Sequence, residues 1–475
     1  MAKMLGIDVG TSGCKGILID ENGRVLKTAG AEYPLSIPRP MWSEQNPEDW
    51  WRGVQEVIAA IGEPNPDAVG LTGQMHGSVF LDVQGEVVRP AILWNDQRTT
   101  EQCAEIDRRV GRERVREITR NPPLTGFTVP KILWLREHEP EAFARVRRVL
   151  LPKDYIRYRL TGTMATEVSD ASGTGLLDVP ARKWSQEMLS ALSLEPALLP
   201  DVYESDVATA KTDGSGGLRA GIPVVGGGGD QAAGAVGTGT VVPGVVSVSL
   251  GTSGVVFSAL EAPNYDPAGA VHTFCHANRS WHAMGVMLAC GGAVGWFRDV
   301  FGTDYAAMNA EAASASSEGL TFLPYLTGER SPHNDPWAKG AFAGLTLGHG
   351  RAQMTRALFE GVTFGLLDGF EALARLGAVA EEIRVTGGGA RSGLWLSLLA
   401  DAFGKPVTTL EADEGPAMGA ALLAGVGVGL WPDVATACGS TIRPASVTEP
   451  TGEDLSAAYA RYRSAYLAIR EWNRA

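Results

Sequence analysis

The sequence predicts an α/β protein of two related domains, and three observations carry that prediction. At 475 residues the chain is too long for one compact core. Short apolar runs of strand character alternate with helical periodicities to about residue 240. The segment Leu5-Gly-Ile-Asp-Val-Gly-Thr-Ser-Gly13 is echoed by Val246-Ser-Val-Ser-Leu-Gly-Thr-Ser-Gly254. Each copy is an apolar strand that enters a Gly-Thr-Ser-Gly turn and leaves into another apolar strand. The repeat sets a boundary near residue 244, giving units 1–243 and 244–475, with a ligand cleft expected between them.

Taken in order, residues 4–10 and 16–20 read as strands joined by the first turn, and a third follows the turn Glu21-Asn-Gly23. Asn46-Pro47-Glu48-Asp49 predicts a helix start: a capping amide, proline at the first position and acids in the first turn. Trp50, Val54, Val57, Ile58 and Ile61 then share one helical face. In the second half, Ile383-Arg-Val-Thr386 is a strand that breaks at Gly387-Gly-Gly-Ala390. The helix after it carries Leu394, Leu398 and Leu399 and ends at Gly404. A glycine-rich helix begins at Gly415, and the segment from Asp454 to Trp472 is an amphipathic helix whose tyrosine stripe predicts packing.

Composition narrows the function classes. Lys plus Arg total 41 against 54 for Asp plus Glu, a net charge of −13, so a nucleic-acid surface is not expected. Five cysteines form no C-x-x-C and no even framework, and no apolar stretch is long enough to span a bilayer. A reducing, cytoplasmic setting without membrane partners is expected. Glycine, at 59 of 475 residues, is roughly 12% against a usual ~7%, so many turns require positive φ or close backbone approach.

The chemistry-bearing segments point to phosphoryl transfer. Ile222-Pro-Val-Val runs through Gly226-Gly-Gly-Gly to Asp230, a carboxylate delivered by a strand end among residues without bulk. Such a group is well placed to take a proton from a bound alcohol. No P-loop and no H-R-D catalytic loop occur, so phosphate must be held another way. Gly-Thr-Ser-Gly turns can do so, through successive backbone N–H groups and their hydroxyls. Asp8, inside an apolar strand, fits either a carboxylate satisfied by loop amides or one that meets Mg²⁺. Gly387-Gly-Gly-Ala390 fits both a tight turn and a seat for a flat ligand. His76, in Gln74-Met-His-Gly77, fits a core histidine, a sugar ligand or a base. In Leu93-Trp-Asn-Asp-Gln-Arg98, polar groups beside Trp94 suit a polyol as well as a loop salt bridge. His272, Cys275, His276 and His282 have no familiar zinc spacing and are expected to pack.

Together these segments resemble the FGGY carbohydrate kinases of the actin-like superfold, over essentially the whole chain. Gly6-Ile-Asp-Val-Gly-Thr is similar to the family's first phosphate motif, Gly251-Thr-Ser to its second and Gly387-Gly-Gly-Ala390 to its adenosine motif. Gly126 through His138 resembles one family signature. Gly340-Ala-Phe-Ala-Gly-Leu through Glu360 resembles the other, with Leu358 where a smaller or β-branched residue is usual. The resemblance implies two actin-like, ribonuclease H-like αβ domains facing each other across a cleft, with ATP and Mg²⁺ as cofactors. It implies Asp230 as general base, Asp8 toward the metal, and Thr11, Ser12, Gly251 and Thr252 on the phosphates. Gly388, Gly389 and Ala390 would hold the adenosine. Gln74, Met75, His76, Trp94, Asp230 and Gln231 would line the sugar site, Met75 and His76 chiefly through backbone. Gln231 stands where many relatives have Asn. Leu326-Thr-Gly-Glu-Arg-Ser-Pro-His333 and the stretches around Phe274 and Trp281 are similar to members acting on D-xylulose, and a homodimer is implied as plausible.

Overall fold

The computed structural model describes residues 2–411 and 414–474. Two mixed sheets organise it. The first contains β1 (Lys3–Val9), β2 (Gly13–Asp20), β3 (Val25–Glu32), β4 (Ala68–Gly73), β5 (Ala208–Lys211) and β6 (Pro223–Val225), in the order β5-β6-β4-β1-β2-β3. A two-residue strand, β7 (Gly228–Gly229), also pairs with β4. The second contains β8 (Gly244–Leu250), β9 (Gly254–Leu260), β10 (His272–Cys275), β11 (Trp281–Met287), β12 (Ala380–Thr386), β13 (Val407–Leu410) and β14 (Pro444–Thr448). Its order is β10-β11-β9-β8-β12-β13-β14.

The repeat in sequence is a repeat in structure. β1 and β8 each turn through Gly-Thr-Ser-Gly into an antiparallel partner, β2 or β9. On its other edge each lies parallel to a later strand, β4 or β12. Strands covered on both faces need continuous apolar sequence, which is why Leu5, Ile7 and Val9 are fully buried alongside Val69 and Leu71. Parallel neighbours also bring their carboxyl ends together. The Gly10 turn, the Gln74–Gly77 loop and Asp230 therefore emerge along one sheet edge, and the Gly251 and Gly387 turns along another.

Helix α1 (Pro47–Ile61) starts where the sequence predicts: the Asn46 side chain accepts the Glu48 N–H, and the apolar face is buried on the first sheet. Helix α2 (Asp230–Gly237) leads out of that sheet toward the second. Next in order are α3 (Gly291–Phe301), α4 (Arg351–Ala374), α5 (Gly393–Phe403), α6 (Gly415–Gly427) and α7 (Ser456–Arg474). In α7, Tyr462 and Tyr466 are buried, and the Tyr462 and Tyr325 hydroxyls lie 2.6 Å apart, so the tyrosine stripe is packing.

Helix α6 follows β13 of the second sheet in sequence yet lies on the first sheet. A Cβ placed on Gly70 of β4 would stand 1.9 Å from Ala420 O, and one on Gly419 would stand 1.8 Å from Ala233 O. Neither position admits any side chain, because the obstacle is backbone. The helix therefore contacts β1, β4 and α2 at once and ties the two halves together. Gly70→Ala is expected to lower stability by about 1–3 kcal/mol or to prevent folding. Gly439→Ala, inside a helix and with open space for its Cβ, should hold the melting temperature or raise it slightly. Equal melting curves for the two variants would overturn the packing argument.

Candidate active site

Asp230 opens α2 directly after the β7 pairing, with Gly229 in the capping position. The chain can pass there only without side chains: a Cβ on Gly227 (φ +74°) would lie 1.7 Å from Leu71 O, and one on Gly229 would lie 2.8 Å from Met75 Cγ. Asp230 is partly buried, and its carboxyl is pushed up to about 7, first by burial and then by Asp8, against a hydrogen bond from the Gln231 backbone. Asp8 rises to about 6 through burial, opposed by Lys15, which lies across the β1–β2 ladder and pairs with Glu414 at 2.6 Å. Among the described residues Asp8 Oδ1 has no hydrogen-bond partner.

Behind Asp230 lies a buried polar network. The Gly229 N–H donates to Ser169 Oγ at 3.1 Å, and that hydroxyl donates to Glu167 at 3.0 Å. Lys153 Nζ stands 2.7 Å from Asp154, 3.5 Å from Glu167 and 3.4 Å from Asp170. Burial drives Asp170 well above the usual carboxylate range, eased by Lys153 and reinforced by Asp154, Glu167 and Asp230. The network holds the backbone on which Asp230 is mounted, through the Gly229 N–H.

Both Gly-Thr-Ser-Gly turns direct their carbonyls inward. Gly10 O accepts the Tyr33 hydroxyl (2.6 Å), Thr11 O accepts Gln45 Nε2 (2.7 Å) and Ser12 O accepts the Tyr33 N–H (3.3 Å). In the second turn Gly251 O accepts the Gly291 N–H (2.8 Å), and Thr252 O accepts those of Cys290 and Gly292 (3.0 and 2.9 Å). The N–H groups of Thr11, Ser12, Thr252 and Ser253 find no acceptor among the described residues. Two anion cradles result. The Thr11 hydroxyl is not a free donor: it gives to Gln74 Oε1 (3.2 Å) and accepts from Trp94 Nε1 (3.0 Å).

A cavity of about 640 Å³ opens beside the second turn, lined by Leu250, Gly251, Thr252, Gly388, Gly389 and residues of four helices. Its size suits a nucleotide. A Cβ on Gly388 would meet nothing within 4 Å, whereas one on Gly389 would lie 2.7 Å from the Leu250 Cβ. The first glycine therefore leaves open space, and the second allows close packing on β8. Ala390 completes the turn through its N–H to Gly387 O (3.1 Å) and is absent from the cavity wall.

His76 adopts φ 69°, a conformation unusual for a side-chain-bearing residue, in the loop after β4. Its ring stacks on Phe127 at 4.8 Å, and Nδ1 lies 2.7 Å from Gly173 O. Because that partner only accepts, Nδ1 carries the proton. Burial holds the imidazole down at about 3, so it is neutral at physiological pH with Nε2 as a bare acceptor. The carbonyl of His76 takes Thr128 Oγ1 and Lys131 Nζ, while the N–H groups of Met75 and His76 have no acceptor among the described residues. Gln74 is spent internally on Thr11, Gln45 and Gly10. Trp94 is 40% exposed and presents a ring face, while Asp96 and Arg98 close a buried ion pair at 2.7 Å. Gln231 follows Asp230 on the same helix start. His272 turns to Asn121 (3.1 Å), His276 to Thr240 O (3.0 Å) and Cys275 Sγ to Val179 O (3.4 Å), so these groups serve separate packing contacts.

Comparison with known proteins now decides the family. Residues 3–237 match the N-terminal domain of the FGGY family of carbohydrate kinases, and residues 246–428 match its C-terminal domain. The chain belongs to the FGGY family of carbohydrate kinases. This FGGY chain is 45% identical to the xylulose kinase of Escherichia coli (strain K12), over 88% of the chain and 89% of that protein. The crystal structure of "a xyloylose kinase from Brucella ovis" superposes with TM-score 0.94 at 40% identity, covering 99% of this chain and 100% of that one. A gluconate kinase structure from Lactobacillus acidophilus reaches TM-score 0.92 at 26% identity, covering 99% and 98%, so the FGGY fold itself does not choose the sugar.

Sequence reasoning missed several residues of this FGGY site. Tyr305 and Asn309 line the cavity from a helix without a motif, and Arg391 and Ser392 line it directly after the Gly387–Ala390 turn, where no role was assigned to them. Phe127 lay within a quoted signature with no role assigned, and nothing in the sequence joined Lys153 to Glu167 and Asp170.

The raised carboxylates have two consequences. With Asp230 ionising near 7 in the free protein, kcat/KM should fall about tenfold per pH unit below that value. Asp8 and Asp230 hold protons more tightly folded than unfolded, where the ordinary value is 3.8. Their contribution to stability is therefore full below that value and is lost as pH rises through 6 and 7. Asp230→Asn should accordingly raise the melting temperature at pH 8 by a few degrees. An unchanged or lower melting temperature would show that the carboxylate is not strained by its site.

Proposed function

We propose that this chain transfers the γ-phosphoryl group of ATP to the 5-hydroxyl of D-xylulose, in the cytoplasm, with residues 1–243 and 244–475 as its two lobes. The observation that carries the reading is a base-competent carboxylate, Asp230, on one sheet edge with a free N–H cradle, in a chain whose second cradle borders a nucleotide-sized cavity. The choice of ketose rests on the likeness to xylulose kinases over most of the chain.

Asp230 accepts the proton of the 5-hydroxyl as its oxygen attacks phosphorus in line, and the Gln231 amide supports the same end of the sugar. The Met75 and His76 N–H groups donate to sugar oxygens, His76 Nε2 accepts a hydroxyl, and Trp94 presents its face. Thr11, Ser12, Gly251 and Thr252 hold the phosphate chain through backbone N–H groups, which stabilise the charge developing on the transferred group. Gly388 and Gly389 shape the adenosine seat, and Ala390 closes the turn that carries them. Asp8 fits a hydrated Mg²⁺: its buried Oδ1 lacks a partner, and this ion takes one or two carboxylates while keeping its waters. When bound, the ion would offset negative charge on the phosphates.

Asp230→Ala should lower kcat by at least about two orders of magnitude with little change in ATP affinity. Near-full turnover would remove Asp230 from the role. The activity itself is tested by ADP release with Mg-ATP against D-xylulose, D-ribulose, L-ribulose, glycerol and gluconate, with a sugar-free blank. Stimulation by D-xylulose above the others is expected. Preference for another polyol would replace the substrate, and a high blank indifferent to sugar would overturn the kinase assignment.

A further inference from the structure

Lys131 and Lys153 are both fully buried in the first half of the chain, yet their surroundings differ. Lys153 has three carboxylates around it, at 2.7 to 3.5 Å. Lys131 has none in ion-pair contact among the described residues; its Nζ donates instead to His76 O (2.9 Å) and Gly126 O (2.6 Å). A buried amine without a counter-charge is costly. The two carbonyls that hold it here belong to the two walls of the sugar site.

The first wall is strained. The Gly77 N–H donates to Met75 O (2.9 Å) across His76, whose φ of 69° makes this the rare positive-φ form of the γ-turn. Such a conformation persists only where its surroundings over-determine it. In the planar His76–Gly77 peptide the C=O and N–H point in opposite directions. Lys131 Nζ and Thr128 Oγ1 (3.1 Å) therefore hold the carbonyl from one side, while the turn holds the N–H on the other. With that plane fixed, the Met75 and His76 N–H groups keep the direction in which they meet no acceptor among the described residues.

The second wall hangs on Gly126. A Cβ there would lie 2.5 Å from Trp94 O, so this backbone is seated directly on that of Trp94. The next residue, Phe127, stacks its ring on the His76 imidazole. Thr128 and Lys131 both lie in the helix Thr128–His138, which starts right after Phe127. One helix start thus fastens the Met75–Gly77 turn to the Trp94 wall.

We infer that Lys131 is a positioning residue of the acceptor site: by holding the His76 and Gly126 carbonyls on one amine, it keeps the Met75 and His76 N–H donors and the Trp94 face at the spacing a bound sugar requires. Being fully buried, it supports these walls from behind. Its loss acts on sugar affinity and spares the nucleotide cavity, whose lining residues all come from the second half of the chain. This rests on the reading above of the Gln74–Gly77 loop as part of the sugar site.

The test uses the full chain as wild type, Lys131→Met and Thr128→Val, with circular dichroism and melting curves to verify folding. Methionine approximates the lysine stem without its donors, and valine matches threonine in shape without its hydroxyl. D-Xylulose affinity is measured by calorimetry without nucleotide, and steady-state constants for D-xylulose and ATP are measured below each melting temperature. Lys131→Met is expected to weaken D-xylulose binding about ten- to hundredfold, the value of one or two misplaced hydrogen-bond donors, with the ATP KM held within about twofold. Thr128→Val removes the longer of the two bonds to His76 O and should weaken D-xylulose binding about two- to fivefold. It carries the test if Lys131→Met does not fold. Unchanged D-xylulose affinity in a folded variant, whatever its melting temperature, would reduce the contact to packing and overturn the inference. D-Xylulose affinity and ATP KM damaged in equal measure would overturn it as well, because the effect would then be general. Wild-type protein that neither binds nor phosphorylates D-xylulose would instead remove the sugar reading beneath it.

Discussion

The close approach of α6 to the first sheet and to α2 is the constraint on which the rest of the molecule depends. Backbone meets backbone at Gly70 and Ala420 and at Gly419 and Ala233, with no room for a methyl group. Contacts of this kind cannot be replaced by repacking side chains, because the obstacle is the chain itself. Since α2 begins at Asp230 and α6 follows the last parallel strand of the second sheet, this packing sets how Asp230 is carried relative to the second half.

Around that framework the site offers backbone N–H groups in its turns and desolvated carboxylates beside them. The carbonyls of both Gly-Thr-Ser-Gly turns are satisfied from behind by Tyr33, Gln45 and the N-terminal turn of α3, which leaves N–H groups available. The carboxylates receive the opposite treatment. Asp8 and Asp230 are desolvated near each other, so each is held away from its ordinary titration range and toward that of a useful base. Gln74 and the Thr11 hydroxyl serve as supports for the loop, a task that keeps the cradle's shape without occupying it.

Much of this was legible from sequence because it depends on local chemistry. A strand needs apolar alternation or a continuous apolar run, a turn needs glycine, and a helix start needs a cap, so the two hairpins, α1, α5, α6 and α7 can be read from neighbouring residues alone. The duplicated strand–turn–strand unit gave the two-sheet architecture for the same reason. Asp230 was marked by the glycines that precede it, and His76 and Trp94 by polar loops that end apolar strands.

Tertiary structure alone decided what those side chains face. Whether His76 is a base or a neutral acceptor depends on Gly173 O and on Phe127, far away in sequence. That Asp96 and Arg98 form a buried pair follows from Trp42 and Trp134 enclosing the guanidinium. The Lys153 network and the helix-lined walls of the nucleotide-sized cavity each join segments with no shared local signal. Sequence determines which residues can form a strand, a turn or a cap, because those rules act over a few residues. Burial and partners arise only when distant strands and helices meet, and the ionisation of Asp230 and the neutrality of His76 are set there.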